Sequence, residues 1–411
     1  NPGKPLEVFR EATWDEALDF TAERLKEIIS KKGKNALAGL GSAKGSCEEA
    51  YLFQKMIRTG FGTNNVDHCT RLCHASSVTA LLEGIGSGAV SNPMADVIHS
   101  DVIIIIGANP TVNHPVGATW MKTAIKRGTK LILMDPRGSE LKRYATHFVQ
   151  FKPASDVALL NAMMNVIVTE DLVDQAYIDS YTEGYKKLRH HLLSYTPEAM
   201  SSICGVPVAK IRAIARLYAT AKNAMILWGM GVSQHVHGTD NARCLISLCM
   251  ISGQIGRPGT GLHPLRGQNN VQGASDAGLI PMVFPNYQSV TDPVVHQRFK
   301  HLWGINALDD TPGLTTVEMI NQAYDGKLKG MYIEGENPAM SDPDVLHARA
   351  ALAKLDHLIV QDIFLTETAF YADIVLPAAA NPEKTGTYIN SDRMVQLGRQ
   401  ALTPPGEAKQ D

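Results

Sequence analysis

The sequence predicts an α/β protein in which helices cover parallel β-sheets. Short apolar runs rich in β-branched residues recur along the chain, and segments with helical periodicity separate them. The length of 411 residues is enough for two or three domains with their own cores. Ligands of open parallel sheets bind beyond the carboxyl ends of the strands. The residues that follow each strand are therefore the candidates for function.

The first helix is predicted to begin after Thr13, because Thr13 and Glu16 have the spacing of a capping box. One apolar face is expected to consist of Leu18, Ala22, Leu25 and Ile29. A strand at 36–40 then runs into a tight glycine loop at 41–45, and a second helical stretch follows. Further strands are predicted at 101–106, 130–134, 224–228, 330–333, 357–360 and 373–376.

Two of these strands run into the same motif, Gly-x-Asn-Pro, at 107–110 and at 335–338. About 28 residues later, each is followed by a strand that ends in an acid, Asp135 or Asp362. Such an acid can bind a ribose or a guanine edge, and glycine lets the backbone approach a phosphate. The repetition suggests two related nucleotide sites, with chance recurrence of common turn residues as the alternative. The full Gly-x-Gly-x-x-Gly pattern does not accompany either motif, so an ordinary NAD-binding domain is not favoured.

Composition excludes several classes of function. The chain is 44% hydrophobic and 19% charged, with a formal net charge of -2, which does not suggest a nucleic-acid-binding face. Its longest clean apolar run, Val102–Ile106, is too short to span a bilayer. Six scattered cysteines argue against a disulfide framework and favour a reducing, cytoplasmic location. The chain opens without methionine and is expected to be a piece of a longer protein.

The most unusual local cluster is His68–His74, which contains two thiols and two imidazoles. A zinc site is one interpretation, but three residues separate Cys69 from Cys73, and no second Cys/His cluster completes a tetrahedral set. A buried cysteine beside a satisfied histidine is a purely structural interpretation. A lone Cys73 that ligates a soft metal otherwise held by a cofactor fits better, because thiolates suit such metals.

The second unusual stretch, residues 253–270, is dense in glycine and ends in Arg266-Gly-Gln-Asn-Asn270. It is predicted to be a long ordered loop, a kind that is often functional. The arginine offers a planar fork that matches a carboxylate, and the amides can read heterocycle edges. A flexible solvated loop is the alternative. His235 and His237 could be metal ligands, but contact with solvent or cofactor is the preferred interpretation.

Together, these motifs resemble the catalytic subunits of formate dehydrogenases in the dimethyl-sulfoxide-reductase superfamily. The resemblance rests on five segments in unbroken order: 64–74, 228–234, 266–273, 361–368 and 372–377. It implies reversible two-electron oxidation of formate to CO2 at molybdenum or tungsten held by bis-(molybdopterin guanine dinucleotide). The formate hydrogen leaves as a hydride or as a proton, and both routes stay open at this point.

The resemblance also assigns roles to residues. Cys73 is implied to be the metal ligand, His74 to handle a proton or stabilise the transition state, and Arg266 to orient formate. One dinucleotide is expected to contact Gly107, Asn109, Asp135, Pro136, Arg137 and Asp156. The other is expected to contact Gly229, Met230, Gln234, Gln268, Gly335, Glu336, Asn337, Gln361 and Asp362. Lys44, Gly267 and Asn269 are further cofactor-binding candidates.

The implied architecture has two interleaved, doubly wound, mostly parallel-sheet α/β domains related by approximate pseudo-symmetry. Residues 1–68 plus 269–411 would form a discontinuous domain binding one dinucleotide, and residues 69–268 an inserted domain binding the other. Relatives carry a 4Fe–4S segment upstream and a further domain downstream, which are expected outside this sequence. Residues 154–156 read Ala-Ser-Asp where many superfamily members have Gly-Thr-Asp. The implied partners are electron-transfer subunits with iron–sulfur clusters, some binding flavin or NAD, and neither nucleic acid nor a membrane span is expected.

Three other functions share part of this pattern. A molybdenum nitrate reductase also uses a cysteine ligand, but His74 directly after Cys73 argues against it. A non-catalytic scaffold of an electron-transfer complex has no need for Cys73, His74 and Arg266 together. A zinc-binding structural module is the third alternative.

Overall fold

The computed structural model describes residues 9–411, so residues 1–8 of the predicted first domain lie outside the described part. The strands are β1 Leu37–Gly41, β2 Val66–His68, β3 Val102–Ile106, β4 Lys130–Met134, β5 His147–Val149, β6 Ala224–Trp228, β7 Gly261–Pro264, β8 Val283–Phe284, β9 Gln288–Ser289, β10 Gly330–Glu334, β11 His357–Asp362, β12 Ile374–Pro377, β13 Gly386–Ile389 and β14 Val395–Gly398. The α-helices are α1 Trp14–Lys32, α2 Cys47–Met56, α3 Ala75–Ile85, α4 Pro110–Asn113, α5 Pro115–Lys126, α6 Asp156–Thr169, α7 Gln175–Tyr181, α8 Tyr185–Leu192, α9 Pro197–Cys204, α10 Val208–Ala219, α11 Met230–Ser233, α12 Gly238–Ile251, α13 Val271–Asp276, α14 Pro293–Trp303, α15 Thr316–Tyr324, α16 Pro338–Ser341 and α17 Val345–Leu352. Short 3-10 turns lie at Lys34–Ala36, Cys69–Leu72, Met94–His99, Glu140–Tyr144, Pro285–Tyr287, Ala369–Tyr371 and Asn381–Glu383, and a π-helical turn at Ile57–Phe61.

The chain divides into two compact units. The discontinuous unit comprises the described residues up to Leu72 together with 268–390 and 394–411, and the inserted unit comprises 73–267 together with 391–393. The predicted domains changed over at 68/69 and 268/269, so Cys69–Leu72 and Gln268 lie in the discontinuous unit rather than in the insert.

The inserted unit is built on a five-stranded parallel sheet with the order β5-β4-β3-β6-β7. Every residue of the central strand β3 is buried. Ile104 packs with α6, α10 and α12 on one face, while Ile103 and Ile105 pack with α5 on the other. Burial on both faces explains why β3 is a continuous apolar run.

The discontinuous unit contains a second five-stranded parallel sheet with the order β12-β11-β10-β1-β2. Leu37 faces a core with α1 and α2, and Ala38 faces a core with α15 and α17. The α/β fold with two doubly wound parallel sheets is therefore confirmed. In both sheets the strand order reverses beside the central strand, between β3 and β6 and between β10 and β1, which is where such folds bind ligands.

The Gly-x-Asn-Pro motifs occupy equivalent places in the two sheets. Gly107 follows β3 with φ +56°, and Gly335 follows β10 with φ +64°. Each glycine amide donates to the end of the neighbouring strand, Gly107 to Met134 O at 3.0 Å and Gly335 to Gln361 O at 2.9 Å. The proline of each motif then begins a short helix, α4 or α16. The repeated sequence motif therefore corresponds to the same backbone conformation in both sheets, a left-handed glycine followed by a short helix.

All seven predicted strands are present, with ends within about one or two residues of the expectation. Two local predictions were wrong. The buried stripe of α1 is Ala17, Thr21, Leu25 and Ile28, so the predicted stripe was offset by one residue over most of its length, and Leu18 is 46% exposed. The loop predicted at 253–270 contains the buried strand β7, which periodicity could not reveal in four residues rich in glycine and proline. Among the helices within residues 9–411, none is long and apolar enough to cross a membrane.

Candidate functional site

A cavity of about 510 Å³ lies at the carboxyl end of the inserted unit's sheet. The loops after β3, β4 and β6 supply most of its wall. Of the predicted site residues, it brings together Gly107, Asn109, Asp135, Pro136, Arg137, Asp156, Gly229, Met230 and Gly267. Gly229 and Met230, which were expected to contact the other dinucleotide, line the same cavity as Gly107 and Asp135. The division of these residues between two dinucleotides stays a prediction.

Glycine backbones form the floor of this cavity at the point where the strand order reverses. A Cβ on Gly107 would lie 2.8 Å from the carbonyl carbon of Gly231, and a Cβ on Gly229 would lie 2.9 Å from Gly107 O. The Gly231 amide donates to Gly107 O at 2.9 Å. The two loops can approach this closely only because neither carries a side chain there.

Two carboxyl side chains on the cavity wall, Asp135 and Asp156, differ in their hydrogen bonds. Asp135 Oδ1 accepts from the Arg137 and Gly138 amides at 2.7 and 2.9 Å, which fixes the turn after β4. Asp156, at the start of α6, is 1% exposed, and neither of its carboxylate oxygens has a hydrogen-bond partner. Burial raises the pKa of Asp156. An unsatisfied buried carboxyl group that lines a cavity is suited to a ligand that donates hydrogen bonds.

Cys73 lies beside this cavity. Its Sγ is 3.4 Å from the Sδ of Met230, which lines the wall. The thiol is half-buried, as a ligand residue must be if a metal is to reach it.

His74 is completely buried, and both of its ring nitrogens are hydrogen-bonded. Nε2 lies 2.9 Å from Leu265 O, and Nδ1 lies 3.2 Å from Ser233 Oγ. A carbonyl can only accept, so Nε2 donates and Nδ1 accepts in the neutral ring. Burial lowers the pKa of His74 to about 3, with a further contribution from the positive charge of Arg266.

Arg266 follows Leu265 and is 5% exposed. Its Nη2 donates to Gly88 O, and its carbonyl accepts from His114 Nε2 at 2.6 Å. His114 also lines the cavity, four residues beyond Pro110 of the first motif. Sequence reasoning missed His114 and Ser233. The one signal that could have indicated His114 was its position shortly beyond the end of β3, between α4 and α5.

The discontinuous unit has a second polar cluster at the equivalent strand ends. Asn269 Nδ2 donates to Lys44 O at 3.2 Å, and the Cys69 thiol donates to Gln268 Oε1 at 3.0 Å. A Cβ on Gly335 would lie 3.1 Å from Ser42 Cβ, so the loops after β10 and β1 also meet closely.

Glu336 and Asp362 belong to this second cluster. Burial raises the pKa of Glu336 to about 7, partly offset by hydrogen bonds to Ser42 and Cys69. Asp362 Oδ1 accepts from the Phe364 amide at 3.1 Å, the same type of turn that Asp135 makes in the inserted unit.

Two further predicted residues are hydrogen-bonded within their own unit, and a third lies outside the cavity of the inserted unit. Gln361 donates to Asp411 Oδ1 at 2.9 Å and accepts from the Tyr332 hydroxyl, so its amide faces the interior. Asn337 Oδ1 accepts from the Thr368 amide and hydroxyl. Gln234 lies at the end of α11 and does not line the cavity of the inserted unit.

Within residues 9–411, no three His, Cys, Asp or Glu side chains are grouped so that they could hold a metal ion. His68 lies 3.2 Å from Ser275 Oγ instead, and His235 lines the cavity. The arrangement of the 68–74 cluster therefore does not provide a zinc site, and a metal bound through Cys73 needs further ligands from a cofactor.

Comparisons with known proteins identify the family. Residues 7–411 match the family described as molybdopterin oxidoreductase. The chain is 46% identical to the F420-dependent formate dehydrogenase subunit alpha of Methanocaldococcus jannaschii over 98% of this chain and 58% of that protein. It is 42% identical to formate dehydrogenase H of Escherichia coli over 97% of this chain and 56% of that protein. Acetylene hydratase from Pelobacter acetylenicus has a similar fold, with a TM-score of 0.81 at 22% identity over 98% of this chain and 57% of that one. The chain thus spans less than three fifths of these relatives, and it belongs to the molybdopterin oxidoreductase family.

Proposed function

We propose that this chain is the cofactor-binding core of a formate dehydrogenase catalytic subunit that interconverts formate and CO2. The observation that carries the proposal is the grouping of Cys73, His74 and Arg266 in one unit, beside a cavity at the reversal point of its sheet. Identity of 42–46% to proteins named formate dehydrogenase supports the same substrate.

Family membership implies a molybdopterin cofactor with molybdenum or tungsten. We infer the bis-guanine-dinucleotide form, because two sheets of one chain repeat the same glycine and carboxylate turns. In the inserted unit, Asp156, Asp135 and the glycine loops would hold one dinucleotide, and Cys73 would ligate the metal. In the discontinuous unit, Lys44, Gln268, Asn269, Glu336 and Asp362 would hold the other. The bound cofactor supplies the two-electron redox chemistry.

The protein's own contribution is placement and electrostatics. Arg266 would bind the formate carboxylate, because a buried guanidinium gains more from a charge-assisted hydrogen bond than one exposed to water. His74 already uses Nε2 to bind Leu265 O and Nδ1 to bind Ser233. This favours a positioning role for His74 over the proton-handling role that the family resemblance implied.

Electrons would leave to iron–sulfur partner subunits. The relatives at 46%, 43% and 44% identity are named F420-dependent, which favours F420 over the NAD-linked acceptor that the sequence first suggested. The proposed location is the cytoplasm, and the 4Fe–4S cluster would be bound outside this sequence.

The test is metal analysis of the full-length subunit purified anaerobically, with pterin fluorescence on the same sample. We expect about one molybdenum or tungsten and about two pterin dinucleotides per chain, with formate oxidation coupled to F420 or to an artificial acceptor. Cys73→Ala should abolish turnover, and Arg266→Ala should raise the KM for formate by roughly 10- to 100-fold.

Cys249→Ala is the matched control, because this thiol in α12 donates to Gln254 O at 3.0 Å and does not line the cavity. It should retain both metal and turnover. Nitrate reduction without formate oxidation, metal-free protein, or normal formate turnover in Cys73→Ala would each contradict the proposal.

A further inference from the structure

Behind His74, the inserted unit contains a closed ring of buried hydrogen bonds. Trp228 Nε1 donates to Ser77 Oγ at 2.8 Å, and Ser77 Oγ lies 2.6 Å from Ser233 Oγ. Ser233 Oγ lies 3.2 Å from His74 Nδ1, and His74 Nε2 lies 2.9 Å from Leu265 O. The Leu265 amide returns to Trp228 O at 2.8 Å, which closes the ring.

The groups at the two ends of this series of side chains, the Trp228 indole and the Leu265 carbonyl, decide which atom donates in each hydrogen bond. An indole nitrogen can only donate, so Ser77 Oγ accepts from Trp228. The Ser77 hydroxyl in turn donates a hydrogen bond to Ser233 Oγ. A carbonyl can only accept, so His74 Nε2 carries the proton, and Nδ1 must accept from Ser233. The two requirements agree at every oxygen and nitrogen, and none of the four side chains is more than 4% exposed.

We propose that Ser233, supported by Ser77 and Trp228, is a positioning residue: it donates to His74 Nδ1 and so holds the ring where Nε2–H binds the Leu265 carbonyl, in the backbone that carries Arg266. This inference rests on the proposed function, because it assigns these residues to the geometry of formate binding. His74 thereby acquires a defined structural role. Its Nε2–H fixes the Leu265 carbonyl, and Arg266 is the next residue.

The short helix α11, which ends with Ser233, also contacts Cys73, the proposed metal ligand. α11 begins with Met230, whose Sδ contacts Cys73 Sγ, and ends with Ser233, which binds His74. One short helix therefore contacts both Cys73 and His74, while His74 contacts the loop of Arg266. A shift of the His74 ring would move the guanidinium relative to the thiol, and displacements of about 1 Å in such sites cost roughly 100-fold in rate.

The experiment is 15N NMR of the full-length subunit with 15N-labelled histidine, in which the His74 signals are identified by difference from a His74→Gln sample. We expect wild-type His74 to be protonated at Nε2 and unprotonated at Nδ1. In Ser233→Ala, Leu265 O still requires the proton on Nε2, so we expect the tautomer to remain and the Nδ1 signal to move to that of a nitrogen without a hydrogen bond. We also expect a roughly 10-fold rise in the KM for formate and a smaller change in kcat. Ser233→Thr, which keeps the hydroxyl, should restore both readouts.

Ser76→Ala is the matched control, because its hydroxyl donates to the backbone carbonyl of Ser233 at 2.8 Å but takes no part in the ring. It should leave the Nδ1 signal of His74 and the KM unchanged. If Ser233→Ala does not fold, Ser77→Ala removes the hydrogen-bond partner of Ser233 and should move both readouts in the same direction.

Nδ1 protonation of His74 in the wild type, or an unchanged Nδ1 signal and KM in Ser233→Ala, would overturn the inference. The two proposals fail separately. An enzyme that does not oxidise formate refutes the proposed function, whereas the NMR spectra test the hydrogen bond to Nδ1 without any turnover.

Discussion

Gly107 and Gly335 have the same left-handed backbone conformation at the ends of the central strands of two different sheets. Their φ angles are +56° and +64°, and each amide donates to the last part of the adjacent strand. Each neighbouring strand is followed by a turn in which Asp135 or Asp362 accepts from the amide two residues later. The two sheets therefore place a left-handed glycine turn and a carboxylate in the same arrangement, as expected if each binds a nucleotide.

Replacement of Gly107 by alanine should strongly destabilise the inserted unit. The new Cβ would lie 2.8 Å from backbone atoms of Gly231 and Val232, in a conformation that L-residues rarely adopt. Denaturant unfolding should show a loss of about 2–4 kcal/mol. Gly86→Ala is the control, because Gly86 also has positive φ but no atom within 4 Å of its Cβ position, so its cost should stay near 1 kcal/mol. Equal losses in the two variants would show that the contact with Gly231 is unimportant.

Arg58 is predicted to be a major stabiliser of the discontinuous unit. It is completely buried, and Nη2 donates to the carbonyls of Gly278, Ile280 and Val283 at 3.1, 2.7 and 2.8 Å. Arg58→Met would leave these carbonyls without their donor, and we expect a loss of about 3–5 kcal/mol in the free energy of unfolding.

The control for Arg58 is Arg10→Met, in which the side chain is 74% exposed and pairs with Glu16 at the surface. It should reduce stability far less than Arg58→Met does, because an exposed ion pair contributes little. A similar loss of unfolding free energy in both variants would refute the stabilising role of Arg58.

Asp156→Asn should affect stability and cofactor retention in opposite directions. Burial raises the pKa of Asp156, which means that its charged form is unfavourable in the folded protein without a ligand. The amide should therefore raise the thermal midpoint of cofactor-free protein near neutral pH and lower the guanine dinucleotide retained after purification. Asp179→Asn, at an exposed position, should change neither quantity. Unchanged dinucleotide content in Asp156→Asn would remove this residue from the site.

Glu336 should make the discontinuous unit less stable as the pH rises. Its pKa is raised from 4.5 to about 7 by burial, so the folded protein keeps a proton that the unfolded chain releases. The resulting stabilisation is complete below pH 4.5 and is lost as the pH rises through about 7. Glu336→Gln should flatten this part of the curve in unfolding experiments between these pH values.

The control for Glu336 is Glu367→Gln. A hydrogen bond from Asn337 lowers the pKa of Glu367, so its stabilising contribution is present above about pH 4.5 and is lost as the pH falls below that value. Glu367→Gln should therefore leave the slope between pH 4.5 and about 7 unchanged. A wild-type slope in Glu336→Gln would show that other groups cause the dependence.

The strand positions and the repeated turns could be predicted from the sequence because their signals are local. A β-branched run such as Val102–Ile106 needs burial on both faces wherever it lies, and Gly-x-Asn-Pro specifies a turn through its own backbone preferences. Short strands such as β2 and β7 carry too few residues for a periodic signal, and their pairing partners alone make them strands.

The sequence by itself determined the fold class, the repeated strand-end motif, and Cys73, His74 and Arg266 as the residues of interest. Only the tertiary structure decided that Gly229 and Met230 share a cavity with Gly107, that Gln361 faces the interior, and that Ser233 binds His74. The physical reason is that buried polar atoms must be hydrogen-bonded, and the fold can supply the partner from a distant part of the sequence. Ser77 and Trp228 are hydrogen-bonded across 151 residues of sequence, a separation at which no local pattern constrains the pairing.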